Sequence, residues 1–367
     1  MKEYVDYIRD IYENGHTDDN RTNNPARKVF GRMMRFDLTE CKFPLVQAKF
    51  TPIKNIAREL LWFISGDTNN ETLAEQGCHI WDNWAVEDGD LGPIYGKQWR
   101  DFGVPGSLIS VDQINELIEG LREKPLSRRH IVNAWNPTVL PNEKYSPQEN
   151  VKMGLQSLAP CHALFQCHVR TLKLADHNRY ITGRMRELGI EFNPLEDTVA
   201  NMQPETETIL RETIFKDNID YFDQWLNYCR KEYPKSRLRS VIFHQLSNMG
   251  QIPQYGLSLQ LYQRSCDSPA GVPFNIASYA MLNIMLARLV GMAPLEFIWM
   301  GGDCHIYENQ IEAVEEMLAR PLVETTPYLI LPEHTRNYTH LEDFKLDDIT
   351  CVTNYHPHPK IEVAISI

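Results

Sequence analysis

The chain has 367 residues, is 43% hydrophobic and carries a formal net charge of −12. That is enough apolar material for a sizeable core, in one large unit or two medium ones. The acidic excess excludes a protein that coats nucleic acid, which needs a basic face to displace counterions, so any anionic ligand must be held by a local arginine cluster.

The eight cysteines, at 41, 78, 161, 167, 229, 266, 304 and 351, form no CxxC pair and no Cys/His spacing of the zinc kind. They read as reduced thiols, with no metal site and a cytoplasmic location expected. Met1 to Asp6 shows no apolar run after a basic one, so no signal peptide is expected. The most apolar stretch, Gly271 to Met292, is interrupted by Asn275, Ser278, Asn283 and Arg288, which suits a buried helix and no membrane attachment.

In chain order, Tyr4, Ile8, Ile11 and Tyr12 form a helical stripe that ends at the turn-like His16 to Asn20. Arg21 to Lys28 is a polar basic loop, by itself a solvated turn, leading into a strand around Val29 to Leu38. A helix follows from about Ile53 to Ser65 with Ile53, Ile56, Leu60 and Phe63 inward. Glu59 adjoins the apolar run Leu60-Leu61-Trp62-Phe63, and a carboxylate there is either half-exposed or raised in pKa and suited to proton transfer. Trp81 and Trp84, three apart, predict one helical face and would ordinarily be core. Asp112 to Arg122 reads as an amphipathic helix, and Arg128-Arg129 after it as a surface patch.

Strands are expected at Ile131 to Trp135, Cys161 to Val169 and Leu257 to Tyr262. Cys161 sits between Pro160 and His162 at the mouth of one, and Arg264 lies on another. A lone cysteine is ordinarily a small buried side chain, but an arginine within reach favours the thiolate, which is the nucleophile. About eighty residues separate these strands, including a helix bounded by Pro204 and Pro234 with Leu210, Ile214, Tyr221, Trp225 and Cys229 at near-helical spacing. That pattern predicts a packed helical subdomain. It holds no catalytic motif, and His177, His244 and Lys235 to Arg239 read as surface. Farther on, Glu308 to Leu318 reads as a helix and Tyr328 to Leu331 as a strand.

Pro160-Cys161-His162, Tyr262-Gln263-Arg264-Ser265, Gly271 to Tyr279 and Phe297 to Tyr307 closely resemble the thymidylate synthase family. The resemblance covers 1–169 and 255–367, leaving 170–254 as a helical insertion within the catalytic domain. It implies an α/β (α+β) three-layer fold around a twisted, mostly antiparallel sheet whose back face forms a homodimer. It also implies one-carbon transfer to C5 of dUMP from 5,10-methylenetetrahydrofolate as co-substrate, without metal. On that resemblance Cys161 is the nucleophile, Arg264 lowers its pKa and binds phosphate, and Glu59, Tyr95 and His162 arrange water and protons. Arg21, Ser265 and, from the neighbouring subunit, Arg128 and Arg129 also take phosphate. His305 and Tyr307 take the deoxyribose hydroxyl, Asn275 reads the base, and Gln263 also binds dUMP. Lys49, Ile80, Trp81, Trp84, Asp267, Gly271, Phe274 and Ser366 line the folate site, and the tail closes over it.

A carboxamide at Asn275 offers a donor and an acceptor to uracil O4 and N3–H. A mispaired buried edge costs about 10⁴-fold in selectivity, so dUMP is expected over dCMP. The sequence departs from the family in a cluster: Asp-Val-Phe-Leu-Gly beside the folate becomes Asp267-Ser268-Pro269-Ala270-Gly271, and Pro-Val-Ala-Ile becomes Ala364-Ile365-Ser366-Ile367. Lost bulk and an added hydroxyl favour water as the final acceptor, hence a deoxyuridylate hydroxymethyltransferase of the phage-encoded kind making 5-hydroxymethyl-dUMP. Thymidylate synthase chemistry is the alternative, and a non-catalytic nucleotide- or RNA-binding relative a third reading.

Overall fold

The structure, a computed structural model, describes residues 1–18, 24–190, 193, 196–216 and 218–365. Its centre is a six-stranded sheet built from β1 (His16–Asp18), β2 (Ala26–Asp37), β3 (Ile131–Asn133), β4 (His162–Thr171), β5 (Tyr255–Asp267) and β6 (Ala293–Tyr307). The spatial order is β1-β2-β6-β5-β4-β3. All neighbours are antiparallel except β5 and β6, which run parallel. A parallel pair needs a crossover, and the helix Val272–Leu289 supplies it. The mixed helix–sheet class expected from the sequence is the one observed.

Period-two alternation decides what the sheet faces. Phe165, Leu261, Trp299 and Met34 stand opposite one another in register across four strands, and all are buried. One position along, Leu164, Tyr262, Met300 and Met33 form the next row, in which Met33 and Tyr262 are exposed. One face is therefore core and the other open in the single chain. The crossover helix is buried on nearly every side, which is why the sequence shows it as a continuous apolar run. Pro273 lies in its first turn, where a missing N–H costs nothing.

The helix expected near 53–65 spans Ile53–Ser65 and ends at Gly66 in the left-handed region. The amphipathic helix after it is Gln113–Glu123, capped by Asp112. Trp81 and Trp84 lie on consecutive turns, not on a helix, and their rings meet edge to face at 5.8 Å. Among the described residues between β4 and β5 come four helices, Leu174–Glu187, Pro204–Glu212, Ile219–Glu232 and Leu238–Asn248. They enclose their own apolar cluster, including Ile181, Leu210, Phe222, Leu226 and Ile242.

The single helix expected between Pro204 and Pro234 is two. The Phe215 N–H closes a turn on the Leu210 carbonyl, and the Phe215 ring folds back onto Phe222, with centroids 4.6 Å apart. Burying that ring outweighs continuing the helix. His177, expected at the surface, is half-buried against Phe243, whereas His244 is exposed.

One backbone position delivers a site residue. Gly92 has φ +69°, and a Cβ there would come within 2.1 Å of the Leu155 carbonyl oxygen. Its N–H donates to Asp90, fixing the turn that leads into the helix beginning at Tyr95. Gly92→Ala is expected to cost at least about 1 kcal/mol of stability, read as a lowered urea midpoint against wild type.

Candidate active site

The strand register assembles the site. Pairing of β4 with β5 sets His162 opposite Gln263, and pairing of β5 with β6 sets Ser265 opposite Asp303 and Asp267 opposite His305. Two connected cavities of about 290 and 480 Å³ meet there, sharing Trp84, Leu158, Cys161, Ser265, His305 and Tyr307.

Arg264 fixes the position of the thiol. Its N–H donates to the Cys161 carbonyl at 2.6 Å, and its guanidinium donates to the carbonyls of Pro160 and Ala159, both at 3.2 Å. The guanidinium also lies over the Trp135 ring, 5.3 Å from its centroid. Thus Arg264 and Cys161 are brought together as expected, with the arginine holding the chain that carries the thiol. From the other side the Cys161 N–H donates to the Tyr95 hydroxyl at 2.8 Å.

Beneath the thiol lies an aromatic stack. Tyr95 and His162 are parallel at 4.0 Å, and Phe63 touches both, at 4.9 and 5.9 Å. Burial depresses the pKa of His162 to about 3, so its ring is neutral at neutral pH, with Nδ1 bonded to the Tyr279 hydroxyl at 2.9 Å. Burial likewise raises the pKa of Tyr95 far above its usual value, keeping the phenol protonated. Glu59 is buried and accepts from the Trp81 indole at 2.9 Å; loss of hydration pushes its pKa up to about 7 despite that bond. Of the two readings left open for Glu59, the buried one holds.

A chain of amides orients Asn275. The Trp299 indole can only donate, and it donates to Gln263 Oε1 at 2.8 Å. The Gln263 amide nitrogen therefore faces Asn275 and donates to its Oδ1 at 2.9 Å. That leaves the Asn275 amide N–H₂ as a donor at the cavity wall and one lone pair on its oxygen.

Asp267 is half-buried, and loss of hydration raises its pKa even though Gln310 donates to both of its oxygens at 3.1 Å. Gln310 also donates to the Ala364 carbonyl at 2.7 Å, tying the tail to the same carboxylate and placing Ile365 on the cavity wall. Ile80, Trp81, Trp84, Gly271 and Phe274 complete a flat apolar wall on that side. His305 bonds Asp303 through Nδ1 at 2.8 Å and meets Tyr307 edge to face at 4.9 Å.

Three expected residues are not on these walls. Lys49 is buried, close enough to Asp267 to feel its charge, and burial lowers its pKa to about 8. Arg128 and Arg129 are exposed and line neither cavity of their own chain. Arg21 and Ser366 lie outside the described residues. The structure adds Lys28 and Tyr145 to the wall nearest Arg264, and Gln310, Trp299 and Tyr279 as supports. Lys28 was legible only as part of a basic loop, and the supports belonged to apolar or helical stretches with no signal of their own.

The Ser268 hydroxyl, expected on the folate wall, points elsewhere. It is fully buried, bonded to the Tyr7 hydroxyl at 2.6 Å and donating to the Cys266 carbonyl at 3.1 Å. Only Ala270 of Ser268-Pro269-Ala270 reaches the cavity.

Fold and site together define an α+β protein with a thiol, an arginine and buried acids converging on one cleft. The family model described as thymidylate synthase matches residues 2–199 and 229–367. Proteins called thymidylate synthase from Francisella philomiragia subsp. philomiragia and Francisella tularensis subsp. holarctica are each 37% identical over 367 residues, all of this chain and all of theirs. The chain belongs to the thymidylate synthase family. Those relatives match over the full length, so the similarity extends through 170–254 as well. Among the described residues no helix is long and apolar enough to cross a membrane, and no cluster of His, Cys, Asp or Glu could hold a metal.

Glu59 makes stability depend on pH. The folded state binds its proton more tightly than the unfolded state does, so its contribution is full below about pH 4.5 and is lost as pH rises through about 7. Unfolding free energies measured between about pH 4 and 8 should therefore show wild type losing stability relative to Glu59→Gln over that window, with the difference constant above it.

Proposed function

We propose that the chain transfers a one-carbon unit from 5,10-methylenetetrahydrofolate to C5 of dUMP, with Cys161 as nucleophile. The observation that carries the reading is Cys161, held by Arg264 and Tyr95 at the junction of two cavities, one walled by aromatic and apolar side chains, the other polar, with Lys28 and Arg264 among its lining together with Glu143 and Asp303. The Cys161 thiolate adds to C6 of the uracil, forming the C–S bond while the C5=C6 pair moves toward O4. Asn275 donates to O4 and accepts from N3–H, with Gln263 and Trp299 fixing that polarity. Glu59, near its midpoint at neutral pH, moves protons through water beside O4, and Tyr95 and neutral His162 order that water.

Arg264, Ser265 and Lys28 receive the phosphate, with Arg21 and the partner subunit's copies of the exposed arginines adding to it; His305 and Tyr307 take the sugar hydroxyl. The folate supplies the one-carbon fragment. Trp81, Trp84, Ile80, Gly271 and Phe274 fit its flat ring, Asp267 its N–H edge and Ile365 the same side, while Lys49 and Ser366 are assigned to the folate site by the resemblance. In this reading 1–169 and 255–367 make the catalytic unit, with 170–254 inserted in it, in a cytoplasmic protein.

C5 bonds to the folate's one-carbon unit, and loss of the C5 proton with cleavage of the carbon–nitrogen bond to the folate leaves an exocyclic methylene on C5, with Cys161 still on C6. Hydride from the folate adding to that methylene gives dTMP and dihydrofolate, whereas water adding to it gives 5-hydroxymethyl-dUMP and tetrahydrofolate; in either case the C6–S bond breaks and the Cys161 thiolate is released. We favour hydride transfer, which requires a dry wall. The Ser268 hydroxyl is committed to the core, and the full-length relatives are called thymidylate synthase. Ala270, small where the family carries leucine, is the observation on the side of hydroxymethylation. We further propose a homodimer through the open sheet face. Its registered row Leu164, Tyr262, Met300 and Met33, with Phe30 81% exposed beside it, suits a second copy of the chain that would bring Arg128 and Arg129 to the neighbouring phosphate.

Mass spectrometry with 5-fluoro-dUMP and the folate should find both on Cys161, and none on Cys161→Ala, which should lose at least about 10⁴-fold in turnover. An unmodified thiol, or turnover unchanged in that variant, overturns the reading, and the folate product identifies the branch. Asn275→Asp, presenting a carboxyl to the base, should shift kcat/KM from dUMP toward dCMP by at least about 10³-fold, measured with the two nucleotides in competition.

A further inference from the structure

Away from this cleft, a cavity of about 470 Å³ opens where the helices Leu174–Glu187 and Leu238–Asn248 meet the crossover helix and the segment 331–336. Its ionic groups are Arg184, Arg288, Arg336, Glu187 and Glu333. Both glutamates are held below their ordinary pKa: burial opposes this, but the arginines outweigh it, so both are ionised. Three arginines and two carboxylates leave one positive charge in the cavity among the described residues, within a chain of net charge −12.

The carboxylates are fully used. Glu187 accepts from Arg184, Arg288 and Arg336, and Glu333 from Arg184 and Arg336. Among the described residues Arg336 Nη1 has only the Tyr180 hydroxyl, at 3.5 Å, the limit of a hydrogen bond. Arg184 and Arg288 are themselves buried, where an uncompensated charge is costly. Ile284, Met292 and Leu331 give the cavity apolar walls as well.

We infer that this cavity is a second binding site, for a small organic anion whose phosphate or carboxylate group pairs with Arg336, Arg288 and Arg184 while its body lies on the apolar wall. A guanidinium cluster matches planar and tetrahedral oxyanions alike, and a pocket of this size admits a metabolite-sized molecule. The inference does not depend on the reaction proposed above. One end of the crossover helix carries Arg288 and the other Asn275.

Equilibrium binding of inorganic phosphate and of succinate to the full chain separates the two anion classes, with hydrogen exchange locating the site. Protection is expected at 180–187 and 284–292. Arg336→Gln brings the cluster to neutrality and should weaken binding about tenfold, while Glu333→Gln adds a positive charge and should tighten it by a similar factor, each affinity being read where the variant is fully folded; because both changes remove an ionic pair, a shared loss of stability would move the two affinities in the same direction. Equal affinity in all three proteins, or protection confined to the Cys161 cleft, overturns the inference. So does a purely structural outcome, in which both variants lose stability and neither anion protects the cavity.

Discussion

Everything in the cleft depends on how one residue ties two strands' ends together. Arg264 spends its backbone N–H on the Cys161 carbonyl and its guanidinium on the two carbonyls before it, so the thiol's place is fixed relative to β5 and hence to every residue registered on that strand. Three donors from one side chain and its backbone make this a tighter constraint than any single contact, and a guanidinium meets it better than an ammonium. The same strand carries Gln263, Ser265 and Asp267, so a shift of one residue would turn each of them to the opposite face.

Burial then sets the protonation states. His162 is neutral, Tyr95 keeps its proton and Glu59 sits near the midpoint of its titration, although each has ordinary polar groups within reach. In all three loss of hydration is the largest cause. The aromatic layer of Phe63, Tyr95, Trp81 and His162 is thus more than packing: it is the low-dielectric medium that separates these groups from the wetter side of the cleft, where Arg264, Lys28 and Asp303 lie.

The helical segment between β4 and β5 is joined to the rest by packing, Tyr180 lying on Leu172, Ala293 and Leu295 and Gly183 against Glu40, and by charge. Its own apolar cluster is separate from the main core, while Arg184 and Glu187 reach across to Arg288, Glu333 and Arg336. A buried ionic junction contributes less stability than an apolar one of equal area. Its geometric demands fix one docking arrangement. The Francisella relatives match over the full length of this chain, this segment included.

The sequence alone was enough for the mixed class, the family, the buried helix at Val272–Leu289 and most of the cleft, because Cys161, Arg264 and Asn275 sit in long, chemically specific blocks and period-two alternation marks β5. Glu59 was legible as one of two possibilities, since an acid within an apolar run has only those. Local pattern could not say that Trp81 and Trp84 lie on turns, or that Phe215 breaks a helix, because those outcomes are decided by which partner ring buries more surface. Nor could it say that Ser268 turns inward to Tyr7, that Trp299 sets the polarity of Asn275 through Gln263, or that three arginines far apart in the chain converge on two glutamates. Hydrogen-bond direction and net charge in a cavity belong to pairs brought together by the fold, and neither partner carries the information by itself.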